Sequence, residues 1–97
     1  MLEILQSSTY RRWFERLRDR HAKARIDARI RRLSLGNMGD VKRLGGSISE
    51  LRIDYGPGYR VYFTQRGARV LLLLCGGDKR NQQADIVRAR EISNEWT

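Results

Sequence analysis

Apolar and polar positions along this 97-residue chain change their period once, near the middle, and the change separates a helical part from a sheet part. In "LEILQS" (residues 2–7) Leu2 and Ile4 alternate with other residues as on one face of a short strand. Tyr10, Trp13, Phe14 and Leu17 then fall at i, i+3, i+4 and i+7, the stripe of an amphipathic helix, with Ser8 or Thr9 as its cap. The same spacing predicts a second helix over residues 20–35, with Ala22, Ile26, Ile30 and Leu33 inward and Gly36 ending it. Together they form a helical hairpin with one buried face. "GNMGDVKRLGG" (residues 36–46) reads as a loop punctuated by glycine.

Beyond this loop the period is two. "ISELRID" and "YRVYFTQ" flank "GPG", the signature of a hairpin turn. A register centred on Pro57 sets Asp54 opposite Arg60, Ile53 opposite Val61, Arg52 opposite Tyr62 and Leu51 opposite Phe63. Leu51, Ile53, Val61 and Phe63 then share one face, and Arg52, Asp54, Arg60 and Tyr62 the other. "QRGAR" turns into four consecutive leucines, Leu71 to Leu74, a buried strand by its length and its bounding turn residues. Gly76 and Gly77 are expected to turn the backbone and Asp78 to cap a helix starting near Lys79. In "NQQADIVRAREIS" the expected contacts are Ala84, Ile86 or Val87, and Ala89. The order strand, two helices, three antiparallel strands, helix predicts one α/β domain of the α+β kind over residues 1–97. An N-terminal strand, a helical hairpin and a C-terminal helix frame an antiparallel sheet of about four strands. With helices on one sheet face, the opposite face is wet or in use.

Charge sharpens this picture. Lys and Arg number 20 against 11 Asp and Glu, a net charge of +9, and 17 of the 20 cations are arginine. Residues 1–45 hold 12 cations and 5 anions, residues 46–97 hold 8 and 6. So uneven a surplus favours nucleic acid, a ribosome, an anionic membrane or an acidic protein as partner. The outer face of the helical hairpin collects much of it, including Arg25, Arg29 and Arg32, either as a solvated exterior or as a surface for RNA backbone or an acidic partner. One cysteine excludes an internal disulfide, and with one histidine it makes a zinc cluster implausible. No apolar run approaches a membrane span, so a soluble cytoplasmic protein without metal or cofactor is expected.

The candidate chemistry lies on the second sheet face. Arg52, Arg60, Tyr62 and, at the strand end, Lys79 and Arg80 are cations and a phenol without a matching number of carboxylates. Such a set can hold a phosphodiester and stabilise charge building on its oxygens, helped by the helix N-terminus beside Lys79. The bland alternative is an ordinary solvent face with an Asp54–Arg60 ion pair of small worth. The Gly-Gly-Asp-Lys stretch lacks the spacing of a nucleotide-binding P-loop. His21 reads as a surface or capping residue, Cys75 as structural and buried, Trp13 as core and Trp96 as a loose contact.

"LLLLCGGDKRNQQADIVRARE", preceded by "LRIDYGPGYRVYF" and an Arg/Trp helix, resembles the addiction-module killer proteins, a HigB-like, phage-related branch of the RelE/ParE toxin superfamily. The resemblance runs over almost the whole chain. It implies a toxin of a type II toxin–antitoxin module, a helix-turn-helix antitoxin as partner, and higher assembly of the two. It further implies a metal-independent endoribonuclease that cuts mRNA on the ribosome, the neighbouring ribose 2′-hydroxyl attacking the phosphate. The matching positions are Arg52, Arg60 and Lys79, with Arg60 and Lys79 suited to charge stabilisation and Tyr62 or Lys79 to proton transfer. RNA contacts are expected from Arg80, Arg25, Arg29 and Arg32. The chain departs from the pattern in having no counterpart of the C-terminal tyrosine or histidine that several RelE-type toxins use. That departure keeps a ParE-like DNA gyrase inhibitor, or a binding relative that cuts nothing, as alternatives.

Overall fold

The computed structural model describes residues 1–96, which form a five-stranded sheet with helices on both faces. In chain order the elements are β1 (Glu3–Gln6), α1 (Ser8–Arg16), α2 (Arg20–Ser34), β2 (Val41–Gly45), β3 (Ile48–Ile53), β4 (Tyr59–Arg66), β5 (Val70–Asp78), a 3-10 turn (Lys79–Asn81) and α3 (Gln82–Glu95). The strands lie in the order β1-β5-β4-β3-β2, with β1 parallel to β5 and the other pairs antiparallel.

The strand β2 falls inside the segment that reads as a loop. Only Val41 and Leu44 carry an apolar signal there, and neither is fully buried, because β2 is the sheet edge. The edge is blunted against further pairing by Lys42 and Arg43 and by a register irregularity between Arg43 and Gly45. From α3, Arg90 donates to the carbonyls of Leu44 (2.9 Å) and Gly45 (3.1 Å).

Local chemistry explains the helix ends. Ser7, one residue before the expected cap, accepts from the Tyr10 N–H at 3.0 Å and donates its own hydroxyl to the Leu74 carbonyl. A single buried hydroxyl thus starts α1 and ties it to β5. Asp19 caps α2 by accepting from the N–H groups of His21 and Ala22, and it also accepts from the Tyr55 hydroxyl at 3.0 Å. These donors hold its carboxyl below the usual carboxylate range. Gly36, at φ +93°, ends α2 as anticipated: its N–H donates to Leu33 and that of Asn37 to Arg32.

The four leucines serve two cores. Leu71 and Leu73 pack with Tyr10, Ile26, Ile30, Leu33 and the predicted inner set Leu51, Ile53, Val61 and Phe63. Leu72 and Leu74 pack on the other side with Ile48, Tyr62, Cys75, Ala89 and Ile92. A strand covered on both faces needs apolar residues at every position, hence the unbroken run. The second face is therefore not open along its length, because α3 lies on it. Ala84 and Val87 point away from that core.

Three local expectations are corrected. The hairpin pairs Arg52 with Arg60, Leu51 with Val61 and Glu50 with Tyr62, two residues away from the centred register. An even shift keeps every side chain on its predicted face but removes the Asp54–Arg60 pair. Gly76 and Gly77 do not turn the chain; they are strand residues opposite Val61 and Arg60. A β-carbon on Gly76 would overlap the Trp13 ring, and one on Gly77 the Asp85 carboxylate. Asp78 caps the 3-10 turn by accepting from the Arg80 N–H at 2.9 Å, so α3 begins at Gln82 rather than near Lys79.

Candidate functional site

Where β3, β4 and β5 run out beside the 54–58 turn, an open groove of about 340 Å³ is lined by Asp40, Arg52, Asp54, Gly56, Pro57, Gly58, Arg60 and Lys79. Arg52 and Arg60 reach it from directly opposed positions on β3 and β4. Lys79 follows β5 and is pinned to the turn by its N–H, which donates to the Gly58 carbonyl at 3.1 Å. Its methylenes pass alongside Gly58, whose φ of +83° is a conformation that glycine adopts without strain. The tertiary structure thus brings together three of the predicted residues, Arg52, Arg60 and Lys79.

Tyr62 is not with them. It shares the face of Arg60 but stands two residues further along β4, under α3, with none of its surface exposed. Burial, and then the charges of Glu50 and Asp85, push its hydroxyl well above the ordinary phenol value, so it stays protonated. Arg80 is also outside the groove; it pairs with Asp78 at 2.9 Å while its side chain remains 79% exposed. Arg25, Arg29 and Arg32 line an adjoining depression with Ala28, Ile53 and Asp54, and Asp54 borders both hollows. Arg25 lies over the Tyr55 ring, 4.7 Å from its centre. Arg29 is committed to the fold, since Nη1 donates to the Arg52 carbonyl at 2.8 Å and Nη2 to that of Asp40 at 3.4 Å.

Three groups at the site, Asp40, Glu50 and Gln82, escape the reading of the chain alone, and a fourth, Asp54, is read there only as a partner of Arg60. Asp40 and Asp54 put two carboxylates on the groove wall; the first lay in the supposed loop, the second in the supposed ion pair. Glu50 is completely buried, with Oε1 3.0 Å from Arg52 Nε and 3.7 Å from Arg60 Nε. Gln82, the first residue of α3, donates to its other oxygen at 2.7 Å. The available signal was the two-residue spacing in "ELR", which puts Glu50 and Arg52 on one strand face.

Three cations and two carboxylates line the groove, and the buried Glu50 carboxylate lies against two of the cations, so the excess of cations expected on this face is largely balanced. Among the described residues no group of three or more His, Cys, Asp or Glu could hold a metal ion. No helix there is long and apolar enough to cross a membrane. Cys75 lies outside the groove, its thiol pushed up to about 12 by burial and by Asp85. His21 is exposed on α2.

Asp85 carries a testable consequence for stability. Burial and the charge of Asp78 raise its carboxyl above the usual value, and its Oδ2 is buried without a hydrogen-bond partner among the described residues. A carboxyl whose folded pKa is raised favours the fold when protonated, and that contribution is lost as pH rises through the folded pKa. Asp85→Asn is therefore expected to raise the melting temperature at pH 7, with the gain shrinking as pH falls below the carboxylate range. Thermal melts of both proteins from pH 3 to 7 check this; a gain independent of pH contradicts it.

Residues 12–94 match the family model described as "Phage derived protein Gp49-like (DUF891)", a span that includes the whole groove. An uncharacterized protein of Haemophilus influenzae is 45% identical over 94 residues, covering 97% of this chain and 95% of that relative.

Proposed function

From the premise that this chain belongs to the Gp49-like family of phage-derived proteins, a family associated with RelE-like toxins, we propose that it is the toxin of a HigB-like toxin–antitoxin module that cuts mRNA on the ribosome in the cytoplasm. The observation that carries the reading is the convergence of Arg52, Arg60 and Lys79 on one groove bordered by Asp40 and Asp54. A carboxylate at the margin takes the proton of the ribose 2′-hydroxyl, and the 2′-oxygen attacks the adjacent phosphorus. The bond to the 5′-oxygen breaks, and the products are a 2′,3′-cyclic phosphate and a 5′-hydroxyl. Arg60 and Lys79 stabilise the negative charge on the phosphoryl oxygens. Lys79 delivers the proton that the departing oxygen requires. These three side chains supply the positive charge that a divalent ion provides in other nucleases, which supports a metal-independent reaction.

Purified protein added to translating ribosomes, with mapping of mRNA ends, tests the proposal. Cleavage is expected to persist at EDTA concentrations that leave ribosomes intact. Intact mRNA together with gyrase inhibition would overturn it in favour of a ParE-like binding protein.

The adjoining arginines account for affinity in this reading. Arg25 and Arg32 extend the cationic surface along α2, whereas Arg29 holds β2 and β3 in place. Replacing Arg25 and Arg32 with alanine is expected to flatten the fall of log K with log salt by about 0.7 for each contact removed on single strands. An unchanged slope in filter-binding titrations places the RNA elsewhere. The antitoxin partner is proposed to be a helix-turn-helix protein whose acidic segment covers the groove, the two assembling into higher complexes.

A further inference from the structure

The paired arginines of the groove face each other directly across β3 and β4, where like charges repel. The fold maintains this pair by burying a carboxylate next to it, and buried charge is itself expensive unless well partnered. We propose that Glu50, braced by Gln82, is a positioning residue that fixes the guanidinium groups of Arg52 and Arg60 for a phosphate in the groove. This inference rests on the proposed reading of the groove as the site of the scissile phosphate.

The division of contacts supports it. Oε1 of Glu50 approaches the Nε of both arginines, at 3.0 Å and 3.7 Å, and Oε2 accepts from Gln82. Arg52 is thus hydrogen-bonded at its inner nitrogen, and Arg60 is held there by charge alone. The Nη groups of Arg52 make no hydrogen bond among the described residues, and its side chain is 34% exposed towards solvent. Arg60, only 10% exposed, rests Nη1 on the carbonyls of Gly58 and Tyr59. Its Nε is buried without a hydrogen-bond partner among the described residues, since 3.7 Å to Glu50 is too long for one. An ion pair serving stability alone has no reason to set two arginines opposite one another at the mouth of a groove. Apolar residues of similar volume give equal or greater stability. Gln82 adds a link to α3: where that helix begins determines how firmly the carboxylate is held.

The test uses Glu50→Gln, which removes the charge, and Gln82→Leu, which removes only the brace and keeps the protein measurable if the first variant fails to fold. Gln82→Leu is expected to lower kcat for ribosome-dependent mRNA cleavage roughly tenfold, the scale on which partners of binding-site ligands act, with KM changed less than twofold. Glu50→Gln is expected to lose at least as much. In 15N NMR spectra the Arg52 Nε–H signal is expected to be sharp and slow to exchange in the parent protein and to broaden in Gln82→Leu. Unchanged kcat and unchanged arginine signals in Gln82→Leu would overturn the inference, as would a lower kcat explained entirely by a lower folded fraction. If the parent protein leaves mRNA intact, the proposed function falls, whereas the NMR comparison still decides whether Glu50 and Gln82 hold the arginines.

Discussion

Lys79→Ala is expected to lower the rate of mRNA cleavage about 100-fold or more, the scale seen when a donor to a developing oxyanion is removed. The melting temperature should stay nearly unchanged, because Lys79 is exposed and makes no ion pair among the described residues. Its backbone bond to Gly58 survives the substitution, so the end of β5 and the turn keep their places. Arg60→Ala is expected to lose comparable activity for a mixed reason. With Arg60 gone, the buried Glu50 keeps Arg52 and Gln82 but loses one of its two cations, so some stability is expected to go with the activity, less than when a buried charge loses its sole partner. At this chain length each kcal/mol moves the melting temperature by roughly 4–8 °C. Arg60→Lys, which retains a charge near Glu50, is the cleaner comparison. The Lys79→Ala, Arg60→Lys double variant should lose less than the product of the single losses, because both groups act on one charge. Rates on purified ribosomes, read beside thermal melts, separate these effects. Full cellular toxicity of Lys79→Ala at matched expression would remove Lys79 from the mechanism.

Gly76→Ala is expected to destabilise the fold by about 1–3 kcal/mol, the usual range for overpacking a filled core. The added methyl would overlap the Trp13 ring, which is itself packed against two aromatic neighbours. The rings of Tyr10 and Tyr59 stand 5.7 Å and 6.3 Å from it between centroids. Smaller side chains at position 13 should relieve the clash, so Gly76→Ala is expected to cost less in a Trp13→Leu background. Denaturation of the four proteins in this cycle measures the coupling. Equal losses in both backgrounds would show that something other than Trp13 demands glycine there.

The two N-terminal helices were legible because their signal is local. Tyr10, Trp13 and Phe14, and then Ala22, Ile26, Ile30 and Leu33, recur at the helical period, and Gly36 ends α2 by contacts with neighbours in the chain, whereas the N-caps Ser7 and Asp19 were not read. The inner face of the hairpin was legible for the same reason, since period two assigns faces whatever the exact register. That Arg52 and Arg60 share a face was legible from the same period, and Lys79 joins them because the end of β5 lies beside the turn.

What lay beyond the chain alone was decided by contacts between distant segments. β2 exists because β3 offers an edge to pair with, and five mostly polar residues show nothing of that on their own. The irregularity between Tyr62 and Phe63 makes Phe63 face Leu73 where Tyr62 faces Cys75, so that Leu74 and Cys75 fall in the same core. That one-residue slip sends Gly76 towards Trp13 and Gly77 towards Asp85. Tyr62 left the candidate site because α3 covers its stretch of sheet, and Glu50 entered because the true register puts Arg60 within reach of it. Period assigns a side chain to a face; only packing across the sheet determines whether that face is open, and which charges meet there.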